Sequence, residues 1–118
     1  MFTSDKNEGW GAVVNEAMSN GCAIVASNSI GSVPFLIRDC ENGCIFESCN
    51  LDSLCKKVEF LLDNPEKRKV ISQNAYCTMR DVWSPHNAAS NLIKLVEDLQ
   101  NGRGTSIKEG PCSKAYPI

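Results

Sequence analysis

Residues 22–26, Cys-Ala-Ile-Val-Ala, form a short unbroken apolar run directly after Gly21. A strand with one face in water alternates apolar and polar residues. A run without alternation reads as a parallel strand covered on both faces. Such a strand needs helices above and below it, which confines the chain to an α/β layer fold. The preceding segment supplies one helix. Over residues 11–20, helical spacing puts Val13, Val14, Ala17 and Met18 on one side and leaves Asn15, Glu16, Ser19 and Asn20 polar. Gly21 suits the left-handed position that closes a helix.

That helix is opened by Glu8-Gly9-Trp10-Gly11-Ala12. Neither Gly9 nor Gly11 carries a Cβ, so the backbone can approach something bulky. The first N–H groups of a helix have no intrahelical partner and lie at the positive end of its dipole. Together these make a ready phosphate site. A carboxylate is a poor phosphate ligand, so Glu8 calls for a hydroxyl. Glu16, about two turns into the helix, can accept from a pair of hydroxyls. Phosphate with hydroxyls suggests a sugar nucleotide.

The stretch Glu8-Gly-Trp-Gly-x4-Glu16-Ala-Met resembles the glutamate pair of retaining glycosyltransferases of family 4, the glycosyl transferases group 1. The resemblance continues through Gly21-Cys-Ala-Ile-Val-Ala-Ser27, Asn42-Gly43 and Asp63-Asn-Pro-Glu-Lys-Arg68, and covers roughly residues 2 to 100. A bare glutamate pair would be weak evidence; its order with the following glycine and strand is what makes it specific.

Residues 27–34 form a loop at the carboxyl end of the buried strand, where open α/β sheets bind ligands. The family usually has Gly-Gly-x-Pro-Glu here, and this chain has Gly31-Ser-Val-Pro-Phe35, so Phe35 receives no ligand role. Pro34–Ile37 read as one helical turn, Glu41-Asn42-Gly43 as a turn and Cys44-Ile-Phe46 as the next strand. Three helices follow. Leu51, Leu54, Cys55, Val58, Leu61 and Leu62 line the first, capped by Asn50. Ile71, Ala75, Met79 and Val82 line the second, which starts at Asn64-Pro65. Ala88, Ala89, Leu92, Ile93, Val96 and Leu99 line the third, after Ser84-Pro85. Such stripes read as core.

A net charge of −2 with scattered Lys and Arg gives no field for nucleic acid. No apolar run approaches the roughly 18 residues of a membrane span. Seven cysteines is an odd number, so they cannot all pair within the chain, and without a secretory segment they read as reduced thiols. Cys40, Cys44 and Cys49 cluster in sequence, but their spacing is not CxxC and the single histidine, His86, is distant. Zinc prefers four good ligands, so no metal site is expected. Cys22, Cys44 and Cys55 fall at apolar positions and read as small hydrophobes.

The resemblance implies the second half of the nucleotide-sugar-binding C-terminal domain of a GT-B enzyme. The expected fold is an α/β, Rossmann-like half-domain of about three parallel strands with flanking helices and a C-terminal helical segment. It would span residues 1–101, with an irregular tail over 102–118. The implied role is that of a fragment, inactive by itself. Its parent would transfer a sugar with retention from a nucleotide-sugar donor to a saccharide or lipid-linked acceptor, in bacterial surface or capsular polysaccharide assembly. Glu8 would be catalytic and contact the donor sugar. Gly9, Trp10, Gly11 and Ala12 would border the donor, their N–H groups on its phosphates, and Glu16 would take the ribose hydroxyls. No cofactor is implied. The location would be cytoplasmic, with the parent associating peripherally with the inner face of the membrane. Two alternatives stand beside this reading, a non-catalytic nucleotide-sugar binding module and a thiol-rich assembly protein. The exposed edge at Met1-Phe2-Thr3 predicts a homo-oligomer.

Overall fold

The computed structural model describes residues 1–5 and 7–118. In chain order it contains α1 (Ala12–Ser19), β1 (Val25–Ser27), α2 (Val33–Leu36), β2 (Cys44–Phe46), α3 (Leu51–Asp63), α4 (Pro65–Cys77), a π-helical turn (Thr78–Val82) and α5 (Pro85–Gln100). β1 and β2 pair in parallel, with Val25 opposite Cys44, Ala26 opposite Ile45 and Ser27 opposite Phe46. Helices lie on both faces of this small sheet, as the unbroken apolar run requires.

Alternation along β1 separates the two halves of the core. Ala26 faces one cluster with Val14 and Met18 of α1, Ile30, Val33, Leu36, Ile37 and Ala75 of α4. Val25 faces the other, with Cys44, Phe46, Leu61 of α3 and Ile71 of α4. Each large aliphatic side chain so buried contributes roughly 1.5–3 kcal/mol. This is enough to fix α1 against the sheet, and with it the turn that opens α1.

Four expectations are corrected. The strand begins three residues later than the apolar run suggests, because the helix takes the first of those residues. Gly21 (φ +67°) donates to the Met18 carbonyl (3.0 Å) and Cys22 to that of Ala17 (3.0 Å), which is a Schellman closure of α1. Cys22 is therefore a cap residue and exposed, and Cys55 is exposed too; only Cys44 is a buried hydrophobe. The third strand is reduced to one bridge. Phe2 donates to Val25 (2.8 Å) and accepts from Ser27 (3.2 Å), and a turn closed by Glu8 N–H on the Asp5 carbonyl (3.0 Å) then leads the chain off.

The apolar stripe of α5 is the fourth correction. Leu92, Ile93, Val96 and Leu99 are 46–63% exposed. The neighbouring tail meets α5 on other residues. Asn91 donates to the Pro111 carbonyl (2.9 Å), and Asp98 accepts from the Ser106 N–H (3.0 Å) and hydroxyl (2.6 Å). Further on, Tyr116 N–H reaches the Pro34 carbonyl (2.6 Å), and Arg38 bonds the Tyr116 hydroxyl (2.8 Å) and pairs with Glu109 (2.9 Å).

The helix starts follow their caps. The Asn50 side chain accepts from Ser53 N–H (2.9 Å) and that of Ser84 from Asn87 N–H (3.2 Å), while Pro65 and Pro85 occupy first-turn positions. Asn64 departs from this pattern, its amide donating back to the Phe60 carbonyl (2.8 Å).

Candidate functional site

Two glycines in different parts of the chain make the turn before α1 possible. Gly11 lies in the left-handed region (φ +76°), and a Cβ there would stand 2.6 Å from Ile30 Cγ2 and 3.2 Å from the Phe2 ring. Gly31 follows β1, and its N–H donates to the Gly9 carbonyl (3.0 Å) while that of Ser32 donates to the Trp10 carbonyl (2.9 Å). A Cβ on Gly31 would come within 2.3 Å of the Gly9 oxygen. The loop at the carboxyl end of β1 thus clamps the Gly9 and Trp10 carbonyls of the turn. Gly9 behaves differently, with no atom within 4 Å of a Cβ built on it, so open space lies above it.

Ahead of the turn, Glu8 is half-buried and its Oε2 accepts from the Ser4 hydroxyl (3.3 Å). Past the turn, Val14 N–H returns to the Gly11 carbonyl (2.9 Å), whereas the N–H groups of the exposed residues Ala12 and Val13 have no acceptor among the described residues. Glu16 is exposed on α1, and its carboxylate has no hydrogen-bond partner among the described residues. The Gly9–Gly11 turn therefore leads into a helix start whose open N–H groups are those of Ala12 and Val13. Glu8 sits at its entrance and Glu16 outside on the same helix.

Trp10 is 42% exposed and is held at its edge, its Nε1 donating to Asn15 Oδ1 (2.8 Å). Its ring packs against Phe35 (5.5 Å between centroids) and Trp83 (5.9 Å), both tilted. Sequence reasoning left Trp83 unplaced. It arrives here through the π-helical turn, where its N–H bonds the Thr78 carbonyl (3.1 Å) and the wider helix carries the ring toward Trp10. Ser32 was also missed. It is fully buried beside Trp10, and its hydroxyl has no partner among the described residues. The signal for it was a polar residue directly after Gly31 in the strand-end loop. A groove of about 500 Å³ lined by Asn28, Arg38, Phe46 and Tyr116 lies apart from the two glutamates.

The cysteine cluster resolves differently from its sequence spacing. Cys40 and Cys44 come together with Asp39, their donor atoms all within 4.8 Å of one another, and Cys49 is not among them. Burial pushes the Cys44 thiol up to about 12. Lys57 Nζ reaches both Asp39 Oδ2 (2.5 Å) and Cys40 Sγ (3.6 Å). The Asp39 carboxyl lies below its ordinary value, with burial opposing the shift while bonds from Lys57 and from Ile45 N–H produce it.

A parallel α/β layer with a glycine-bracketed turn into a helix at the sheet's carboxyl edge is a Rossmann-like half-domain. The chain belongs to the glycosyl transferases group 1 family, whose match covers residues 1–78. An uncharacterized glycosyltransferase of Haemophilus influenzae is 39% identical over 61 residues, spanning 52% of this chain and 17% of that protein. The crystal structure of the C-terminal domain of a glycosyl transferase group 1 family protein (LpcC) from Francisella tularensis superposes with a TM-score of 0.57 at 33% identity, covering 62% of this chain and 37% of that one. The chain thus spans well under half the length of either relative. Among the described residues, no helix is long and apolar enough to cross a membrane.

Proposed function

We propose that this chain forms part of the donor site of a retaining glycosyltransferase that uses a nucleotide-sugar donor. The observation that carries the reading is the turn Glu8–Ala12. Its Gly9 and Trp10 carbonyls are engaged by Gly31 and Ser32, and the N–H groups of Ala12 and Val13 have no acceptor among the described residues at the start of α1. Phosphate oxygens would accept from those N–H groups, in the positive end of the α1 dipole. Glu8 would meet the sugar, next to the bond that breaks. Glu16 would accept from the vicinal ribose hydroxyls in charge-assisted bonds worth about 1.5–3 kcal/mol each. Trp10, fixed by Asn15, Phe35 and Trp83, would border the donor without moving. The open space above Gly9 suits close approach of the donor.

In this reading the acceptor is a saccharide or lipid-linked saccharide of bacterial surface or capsular polysaccharide, and transfer takes place in the cytoplasm at the inner face of the membrane. The chain alone would not transfer sugar, because catalysis requires donor and acceptor held together in a closed cleft. No metal or other cofactor takes part in the proposed transfer. Self-association through the Phe2 edge belongs to the same proposal.

A backbone-amide NMR titration with a panel of nucleotide diphosphates and their sugars tests this reading. Shifts centred on Gly9–Val13, weakened by Glu16→Ala, are expected with at least one of them. Shifts confined to the Arg38–Tyr116 groove would overturn the assignment. Turnover by this chain with nucleotide sugars and saccharide acceptors, above the hydrolysis background, would contradict the claim of inactivity.

A further inference from the structure

The bridge between Asp39 and Gly43, with Cys40 N–H on the Gly43 carbonyl (2.7 Å), closes a tight turn just before β2. The turn brings Cys44, first residue of β2, back beside Asp39 and Cys40. One carboxylate oxygen and two sulfurs then lie within 4.8 Å of one another. Tetrahedral zinc, with Zn–S about 2.3 Å and Zn–O about 2.0–2.2 Å, places its ligands roughly 3.5–3.8 Å apart. Closing on a metal therefore takes side-chain movement of the order of 1 Å, within reach of small rotations at Asp39 and Cys40, both exposed.

A cation already sits at this group. Lys57, projecting from α3, places its ammonium on Asp39 Oδ2 and Cys40 Sγ. The other Asp39 oxygen, Oδ1, accepts from Ile45 N–H (2.8 Å), which holds the carboxylate in place as outer-shell bonds do in metal sites. Cys44 is fully buried, while Asp39 and Cys40 open to solvent. One wall of the group is thus rigid, and the open side leaves entry for an ion and room for water as a fourth ligand.

We propose that Asp39, Cys40 and Cys44 bind a borderline-soft divalent cation of the zinc class, with water completing four-coordination. Binding exchanges protons for metal. The ion takes the place of the two thiol protons, which leave to solvent, and no electron is transferred. Two thiolates and a carboxylate carry three negative charges, so the occupied site is left at −1, and Lys57 stays beside it as the counter-charge. The ion ties the turn to the first residue of β2 and, through Lys57, to α3. It braces the outer edge of the sheet and lies outside the proposed transfer chemistry.

The test is titration of the reduced, metal-free chain with cadmium under anaerobic conditions, with C22S, C49S and C55S introduced to remove the other exposed thiols. The expected result is one ion per chain, thiolate-to-cadmium absorption of a two-sulfur site, and two protons released per ion. Asp39→Asn should weaken binding at least tenfold, and Cys40→Ser should remove half of the absorption or more. Circular dichroism confirms that each variant is folded, and exposed Cys40 keeps the test independent of the buried Cys44. Unchanged stoichiometry and affinity in Cys40→Ser, or no stoichiometric binding in the parent background, would overturn the proposal.

Discussion

Replacing Gly11 with alanine places a methyl group where the structure has no room. The residue holds φ +76°, and the new Cβ would lie 2.6 Å from Ile30 Cγ2, with Ile30 itself buried in the core. The left-handed backbone costs a non-glycine residue about 1–2 kcal/mol, and forcing a methylene into a packed site adds about 1–3 kcal/mol, so the loss should be about 2–5 kcal/mol. Against a total stability of about 5–15 kcal/mol that is a large fraction. In urea, with a slope of about 1–3 kcal/mol per molar, the unfolding midpoint should fall by about 1 M or more. Gly31→Ala should act similarly, because its Cβ would meet the Gly9 carbonyl at 2.3 Å. Gly9→Ala is the control. With nothing within 4 Å, it should change stability by no more than about 0.5 kcal/mol. A Gly11→Ala midpoint equal to wild type would show that the turn is not held as described. Equal losses at Gly9 and Gly11 would refute the open space above Gly9.

The remaining predictions concern the helix start, the tail and association. Asn50→Ala removes the acceptor for Ser53 N–H and should cost about 1 kcal/mol, read as a lower midpoint at unchanged slope. Asp98 is held below the usual carboxylate range, first by the Ser106 hydroxyl and then by the Ser106 N–H. Its contribution should be complete above the unfolded value of about 3.9 and vanish as pH falls through the lower folded value. The gap in thermal midpoint between wild type and Asp98→Asn should therefore persist at neutral pH and close in strong acid; a gap that widened in acid would contradict this. Light scattering at micromolar concentration should give a dimer or larger species, and a monomer unchanged by removing residues 103–118 would defeat the edge-pairing argument.

Local chemistry was legible in the sequence wherever one residue settles the outcome. Gly21 closes α1, Asn50 and Ser84 cap their helices, and Cys44–Phe46 is a strand with the expected bounds. Less was legible where two readings share a pattern. Cys22 continues an apolar run and also completes a Schellman motif, and the hydrogen bond to Ala17 won. The stripe of α5 has core spacing, yet spacing cannot say whether a partner surface exists to cover it. The glycines of the turn were legible locally, because Gly11 is read from its place before a helix. The supports of the turn were not, because Gly31, Ser32 and Trp83 join it only through tertiary contacts. The meeting of Asp39 with Cys40 and Cys44 is not legible in their spacing, because the turn through Gly43 is what returns Cys44 to Asp39.

The central claim is that Glu8 serves the reacting sugar and Glu16 the nucleotide ribose. Steady-state kinetics of the complete parent enzyme, varying the nucleotide-sugar donor, tests it most directly. Glu8→Ala should lower kcat far more than it raises the donor KM, and Glu16→Ala should raise the donor KM while leaving kcat closer to wild type. Near-normal turnover in Glu8→Ala would contradict the assignment.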